Sequence, residues 1–172
     1  MNPYLENFTK EQLIDLIEIY SKNWLAMDGL WFQRFEKGYG MDVAMENDRK
    51  VWEGFTVIEA KKIKQFLELP EHSGFDGLEK ALKLRFYANF SKDEIIRTED
   101  SLTYRMLECR VQHARERKGM EYHSCKSVGI IEYGDFAKTI DDRFETECLT
   151  CFPDVRDKTC HCVWKFTLGK IK

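Results

Sequence analysis

The apolar residues of this chain change their period near residue 90, and that switch limits the fold more than any other feature. Before it they recur every three or four residues, as on one face of an α-helix. After it they alternate, as along a strand. Thr9 to Gln12 has the form of a capping box that opens a helix. Leu13, Ile17, Tyr20, Trp24, Asp28, Trp31 and Phe35 then mark one stripe of a long amphipathic helix, ended by Gly38 and Gly40. A second helix is predicted from Met41 to Leu69, with the stripe Met41, Ala44, Met45, Asp48, Val51, Trp52, Phe55, Glu59, Ile63 and Phe66; Pro70 stops it. A third, from Phe75 to Phe90, carries Leu78, Leu82 and Phe86 on one face.

Beyond the switch, Glu94 to Glu99 and Leu102 to Val111 read as two strands joined at Asp100-Ser101. Val128 to Ile140 returns to the helical period. Arg143 to Cys151 and Thr159 to Leu168 read as a second strand pair, with Pro153-Asp154 in the connection. In the last strand Cys160, Cys162, Trp164, Phe166 and Leu168 share one face, and Trp164 and Phe166 are expected to pack on the helices. Helices grouped before strands predict an α+β fold, with N-terminal helices packed on a C-terminal antiparallel sheet of about four strands. Residues 1–172 read as one domain, its helical part about 9–90 and its sheet part about 93–168.

The net charge of −3 argues against a nucleic-acid partner, because phosphate neutralisation needs a basic face. The basic run from Arg110 to Lys118 reads as a solvated segment. No stretch has the ~18 apolar residues of a membrane helix, and the N-terminus lacks the pattern of a signal peptide. A cytoplasmic protein with no membrane partner is expected, with a small molecule as the candidate partner and an oligomer open. In that compartment the six cysteines are thiols or metal ligands before they are disulfides.

Two constellations can carry chemistry. Asp28, Asp48 and Glu59 fall inside apolar stripes, where a carboxylate is costly unless a partner or a ligand satisfies it. Together with Trp24, Trp31 and Arg110 they are candidate ligand-binding residues. Arg110 is a candidate ion-pair partner for Asp28 or Glu59. Asp28 and Glu59 are expected to be buried and to face one another or the sheet. The second constellation is Cys109, Cys125, Cys148, Cys151, Cys160 and Cys162, all in the sheet half. A CxxC followed by a CxC suggests zinc or another thiolate-bound metal. Against this, three-residue spacing on one strand puts Cys148 and Cys151 on opposite faces, and buried cysteines often serve as small hydrophobes. Some of these thiols are expected to converge. His113 and His161 read as structural or surface residues.

Asn23-Trp24, Asp28 to Phe32, Phe55 to Lys64, Cys109 to Gly119, Cys125 to Gly129, Glu132-Tyr133, Phe136-Ala137 and Cys148 to Phe166 resemble an uncharacterised family of cytosolic proteins from anaerobic bacteria and archaea. The late strand pair, with Cys148 before the turn and Cys162-Val-Trp-Lys-Phe166 after it, is loosely similar to aminothiazoline-carboxylate hydrolase-like proteins. It is also loosely similar to vinyl-reductase and Bet-type ligand-binding domains. The resemblance implies helices on an antiparallel sheet and transfers no catalytic residue. A small-molecule or metal-binding domain is the leading expectation. A hydrolase of a small cyclic amide or thiazoline-like substrate is an alternative, with Asp28 or Glu59 as base and Cys109 or a metal assisting. A non-catalytic interaction module with a structural polar core is another.

Overall fold

The computed structural model describes residues 2–169. Its elements run α1 (Lys10–Tyr39), α2 (Met41–Phe66), α3 (Gly74–Leu82), β1 (Lys92–Arg97), β2 (Ser101–Glu108), α4 (Arg110–Arg117), α5 (Lys126–Ile140), β3 (Phe144–Cys151) and β4 (Cys162–Leu168). The fold is α+β, with five α-helices and a four-stranded antiparallel sheet among the described residues. The strand order is β1-β2-β4-β3.

Local chemistry accounts for most boundaries. The Thr9 hydroxyl accepts from the Gln12 N–H, and the Gln12 side chain accepts from the Thr9 N–H, so both orphan donors at the start of α1 are satisfied. Gly40, at φ 85°, ends α1 and starts α2 in a conformation that other residues adopt at a cost. The helix predicted to reach Phe90 stops at Leu82, and Phe86–Asn89 form a separate 3-10 turn. The strand predicted to reach Val111 ends at Glu108, so the basic run Arg110–Arg117 is helical and not a loop. The last strand begins at Cys162 rather than Thr159.

The core lies between the sheet and helices α2, α3 and α5. Leu102, Tyr104 and Met106 of β2 alternate inward and meet Ala60 of α2, Leu78 and Leu82 of α3, and Phe136 and Ile140 of α5. From β4, Trp164 and Phe166 are 1% and 0% exposed. Trp164 stacks on Tyr133 of α5 at 4.8 Å between ring centres. This face of β4 is the one its alternation predicts. Gly129 makes the approach possible: a Cβ there would stand 2.4 Å from Trp164 Cζ2.

The α1 stripe needs correction. Ile17, Tyr20, Trp24 and Trp31 are exposed, and Ser21 is the buried residue of the helix. The inner face is rotated by about one residue, through Ser21, Leu25, Asp28 and Phe32. On α2, Val51 and Phe66 likewise face outward. Among the described residues no helix is long and apolar enough to cross a membrane.

Candidate functional site

Because α1 turns a mixed face inward, it does not close on the sheet. A cavity of about 530 Å³ remains between α1, α2, α4, α5 and the sheet. Its walls are aromatic and apolar, including Phe32, Trp52, Tyr87, Phe90, Val128 and Trp164. Exposed Lys22, Arg110, Arg117 and Lys118 stand where it meets solvent. Into the apolar hollow converge Asp28, Asp48, His123, Cys125 and Glu132. A smaller hollow of about 360 Å³, edged by Trp24, Trp31 and Val51, lies on the other side of Asp28, Phe32 and Asp48.

His123 links the polar groups. Its Nε2 lies 3.2 Å from Asp48 Oδ2, and its Nδ1 lies 3.1 Å from Cys125 Sγ. With Asp48 accepting at Nε2, the Nδ1 lone pair is free to face the thiol, which also lies 3.2 Å from the His123 carbonyl as a donor. Gln112 of α4, 3% exposed, holds the histidine's backbone from both sides: Nε2 donates to the His123 carbonyl at 2.8 Å, and Oε1 accepts from its N–H at 3.0 Å. The same Nε2 lies 3.1 Å from Cys125 Sγ. The edge of Phe32 meets the imidazole at 4.5 Å between ring centres. Cys125 itself is the N-cap of α5.

A second network underlies the cavity. Arg85, 3% exposed, donates from Nε to Glu59 Oε2 at 3.0 Å and from Nη2 to Glu132 Oε1 at 2.7 Å. Its guanidinium lies 4.8 Å from the Phe136 ring centre and 5.2 Å from that of Tyr133. Glu59 also accepts from the Phe86 N–H. Glu59 is therefore a structural partner of Arg85 and does not line the cavity; Arg110, exposed at the rim, pairs with neither Glu59 nor Asp28. Asp28 and Glu59 do not face one another: Asp28 stands by Asp48. Burial, with repulsion from Asp48, pushes the Asp28 carboxyl up to about 6. Burial pushes Glu132 up to about 7, although Arg85 pulls the other way.

The thiols converge in part. Cys151 lies beside Cys125, Cys148 and Cys162 and interacts with each. A bulge at Leu149, where Cys148 pairs with Trp164 but Thr150 with Val163, turns Cys148 and Cys151 toward each other. That bulge overrides the opposite-face expectation for their spacing. Among the described residues, no three of these sulfurs lie mutually within 4.8 Å, which is looser than a thiolate cage with ~2.3 Å metal–sulfur bonds. Contact with Cys151 pulls the Cys125 thiol down, but burial and neighbouring thiols push it up by more. Burial pushes Cys109, in the cavity wall, up to about 11. Cys148 moves down, through Cys151 and nearby Lys126. Cys160 stands apart, beside Asp157. His113 and His161 meet edge to face, outside the cavity wall. The trio His72, Asp141 and Asp142 gathers within 4.8 Å, its buried member Asp141 committed to Arg143 and the Gly74 N–H.

Trp24 and Trp31, candidate ligand residues by sequence, edge the smaller hollow and not the main one. His123, Gln112, Glu132 and Arg85 were missed. Glu132 sits between Val128 and Phe136 on α5, the same acid-in-a-stripe signal that flags Asp28.

No curated protein matches the chain. A family model described as "Family of unknown function (DUF6125)" matches residues 6–168, which span every α-helix and strand described and all the cavity residues. The chain belongs to the DUF6125 family.

Proposed function

We propose that the chain binds a small amphipathic molecule in the main cavity, with an aromatic or aliphatic body inside and an anionic group at the rim. The observation that carries this is the combination of apolar walls, converging buried polar groups and exposed cations in one hollow. Arg110, Arg117 and Lys118 supply the positive rim. Trp164 adds support: among the described residues its buried indole N–H finds only a weak acceptor, the Cys162 thiol. An acceptor on the ligand would satisfy it. An interaction module with a purely structural polar core needs no such hollow.

The test is a titration with 8-anilinonaphthalene-1-sulfonate, an aromatic anion of suitable chemistry. One saturable site is expected, with energy transfer from Trp52 and Trp164. Ala114→Trp fills the cavity and should abolish that site. The Arg110→Gln/Arg117→Gln variant should weaken binding roughly two- to thirtyfold and reduce its salt dependence, since each exposed charge contributes about 0.2–1 kcal/mol. Binding unaffected by Ala114→Trp would overturn the proposal.

A hydrolytic reading of the same cavity is favoured by one observation, the Asp48–His123–Cys125 chain. It shifts the candidate chemistry away from Glu59 and Cys109.

A further inference from the structure

The geometry points to Cys125 as a nucleophile for acyl transfer, with His123 as its base and Asp48 as the residue that positions the base. The inference rests on the cavity being a ligand site, and it names the class of ligand: an ester or thioester with an apolar acyl body. Three observations carry it. The first is the continuous contact from Asp48 Oδ2 through both ring nitrogens of His123 to Cys125 Sγ, at 3.2 and 3.1 Å. The second is the immobilisation of the imidazole by Gln112 on its backbone and Phe32 on its ring. A histidine that only filled space would not need its tautomer fixed by a carboxylate of which 9% is exposed. The third is position: all three residues border the cavity, so a ligand held there meets the buried Cys125 thiol from the cavity side.

The chemistry balances with water as the only co-reactant. Sγ attacks the carbonyl carbon while His123 Nδ1 takes the thiol proton. The oxyanion forms near Gln112 Nε2, the amide donor 3.1 Å from Sγ. The tetrahedral adduct collapses, the bond to the leaving group breaks, and His123 returns the proton to that oxygen or sulfur. Water then attacks the acyl-thioester, again with His123 as base, and releases the acid and the free thiol. Asp48 gains no proton; it keeps Nδ1 unprotonated and stabilises the imidazolium that forms. The start of the fifteen-residue helix α5 adds its dipole at Cys125.

The remaining thiols do not have this arrangement. Cys109 borders the cavity without an imidazole at its sulfur, and Cys160 faces Asp157. Cys148 lies outside the cavity wall and owes its lowered thiol to Cys151 and Lys126. It is therefore an internal control, since its reactivity should not depend on His123.

The test uses the full chain and p-nitrophenyl acetate. Nitrophenolate release and peptide mapping should show acetylation of Cys125. Cys125→Ala should remove it. His123→Ala should slow it about 10²-fold or more, the usual contribution of a general base. Acetylation of Cys148 should be unchanged in His123→Ala. Asp48→Asn should also move the acid limb of the pH–acylation profile to lower pH, which a purely structural role would not do. Circular dichroism and anilinonaphthalene-sulfonate binding confirm that each variant is folded with its cavity intact. Acylation confined to Cys148, or a Cys125 rate in folded His123→Ala within about threefold of the parent, overturns the proposal. So does stoichiometric zinc bound through Cys125. If Cys125→Ala binds the fluorophore normally while the parent is never acylated, the nucleophile is refuted and the ligand site stands. If neither chain binds it, the cavity reading itself has failed.

Discussion

Replacing Arg85 with Met should be among the most destabilising single changes in this protein. Arg85 is 3% exposed and neutralises two carboxylates, Glu59 at 3.0 Å and Glu132 at 2.7 Å. Methionine fills much of the volume but leaves both acids uncompensated against the Tyr133 and Phe136 rings. Breaking a buried ion pair by removing one partner costs about 3–5 kcal/mol. With a urea dependence of about 2 kcal/mol per molar, the unfolding midpoint should fall by roughly 2 M. The stranded acids can escape by taking up protons. The loss should therefore be smaller at pH 5 than at pH 8, because Glu132 already titrates near 7 and rises further without its cation. A triple change, Glu59→Leu/Arg85→Met/Glu132→Met, removes the charges together and should recover most of the stability. Urea denaturation at both pH values is the assay. The reasoning is wrong if Arg85→Met costs under about 1 kcal/mol, or if the triple variant is no more stable than the single one.

Two further outcomes follow from the same physics. Asp28 and Glu132 titrate near 6 and near 7 in the folded chain, above their ordinary 3.8 and 4.5. Between those limits the native state holds more protons than the unfolded one, so stability should fall as pH rises from 5 to 8. Asp141, pulled down to about 2, has lost its proton in both states across that range and does not oppose the trend. The slope should flatten in Asp28→Asn/Glu132→Gln, and an unchanged slope would refute the assignment. Gly129→Ala puts a methyl against the Trp164 ring and should cost about 1–3 kcal/mol by overpacking. Thermal melts would show it, and a neutral effect would mean that β4 does not lie so close to α5.

The fold was largely legible because the two periods are strong and the punctuation is conventional. The Thr9 capping box, the Gly40 break and the β4 alternation each encode their element locally. The register of α1 was not legible, for a reason that concerns the site. Its inner face borders a cavity and therefore carries Asp28 and Gln33, while the bulkiest aromatics, Trp24 and Trp31, point outward. A stripe drawn through the largest apolar residues thus selects the wrong side. The candidate site was half legible. Asp28, Asp48 and Cys125 announce themselves as acids in a stripe and as one of a run of cysteines. Glu59 gives the same signal, yet its partner is Arg85, 26 residues away in a segment without a motif. His123 and Gln112 acquire roles only when α4 folds back on the loop before α5, and no local pattern foretells that contact.

The most direct measurement of the central claim is a crystal structure of the protein with anilinonaphthalene-sulfonate bound. The account predicts the aromatic rings in the main cavity, between Trp52 and Trp164, with the sulfonate within reach of Arg110 or Arg117. Occupancy confined to the outer face of α1, beside Trp24 and Trp31, would contradict it, because the cavity would then be a packing defect and not a binding site.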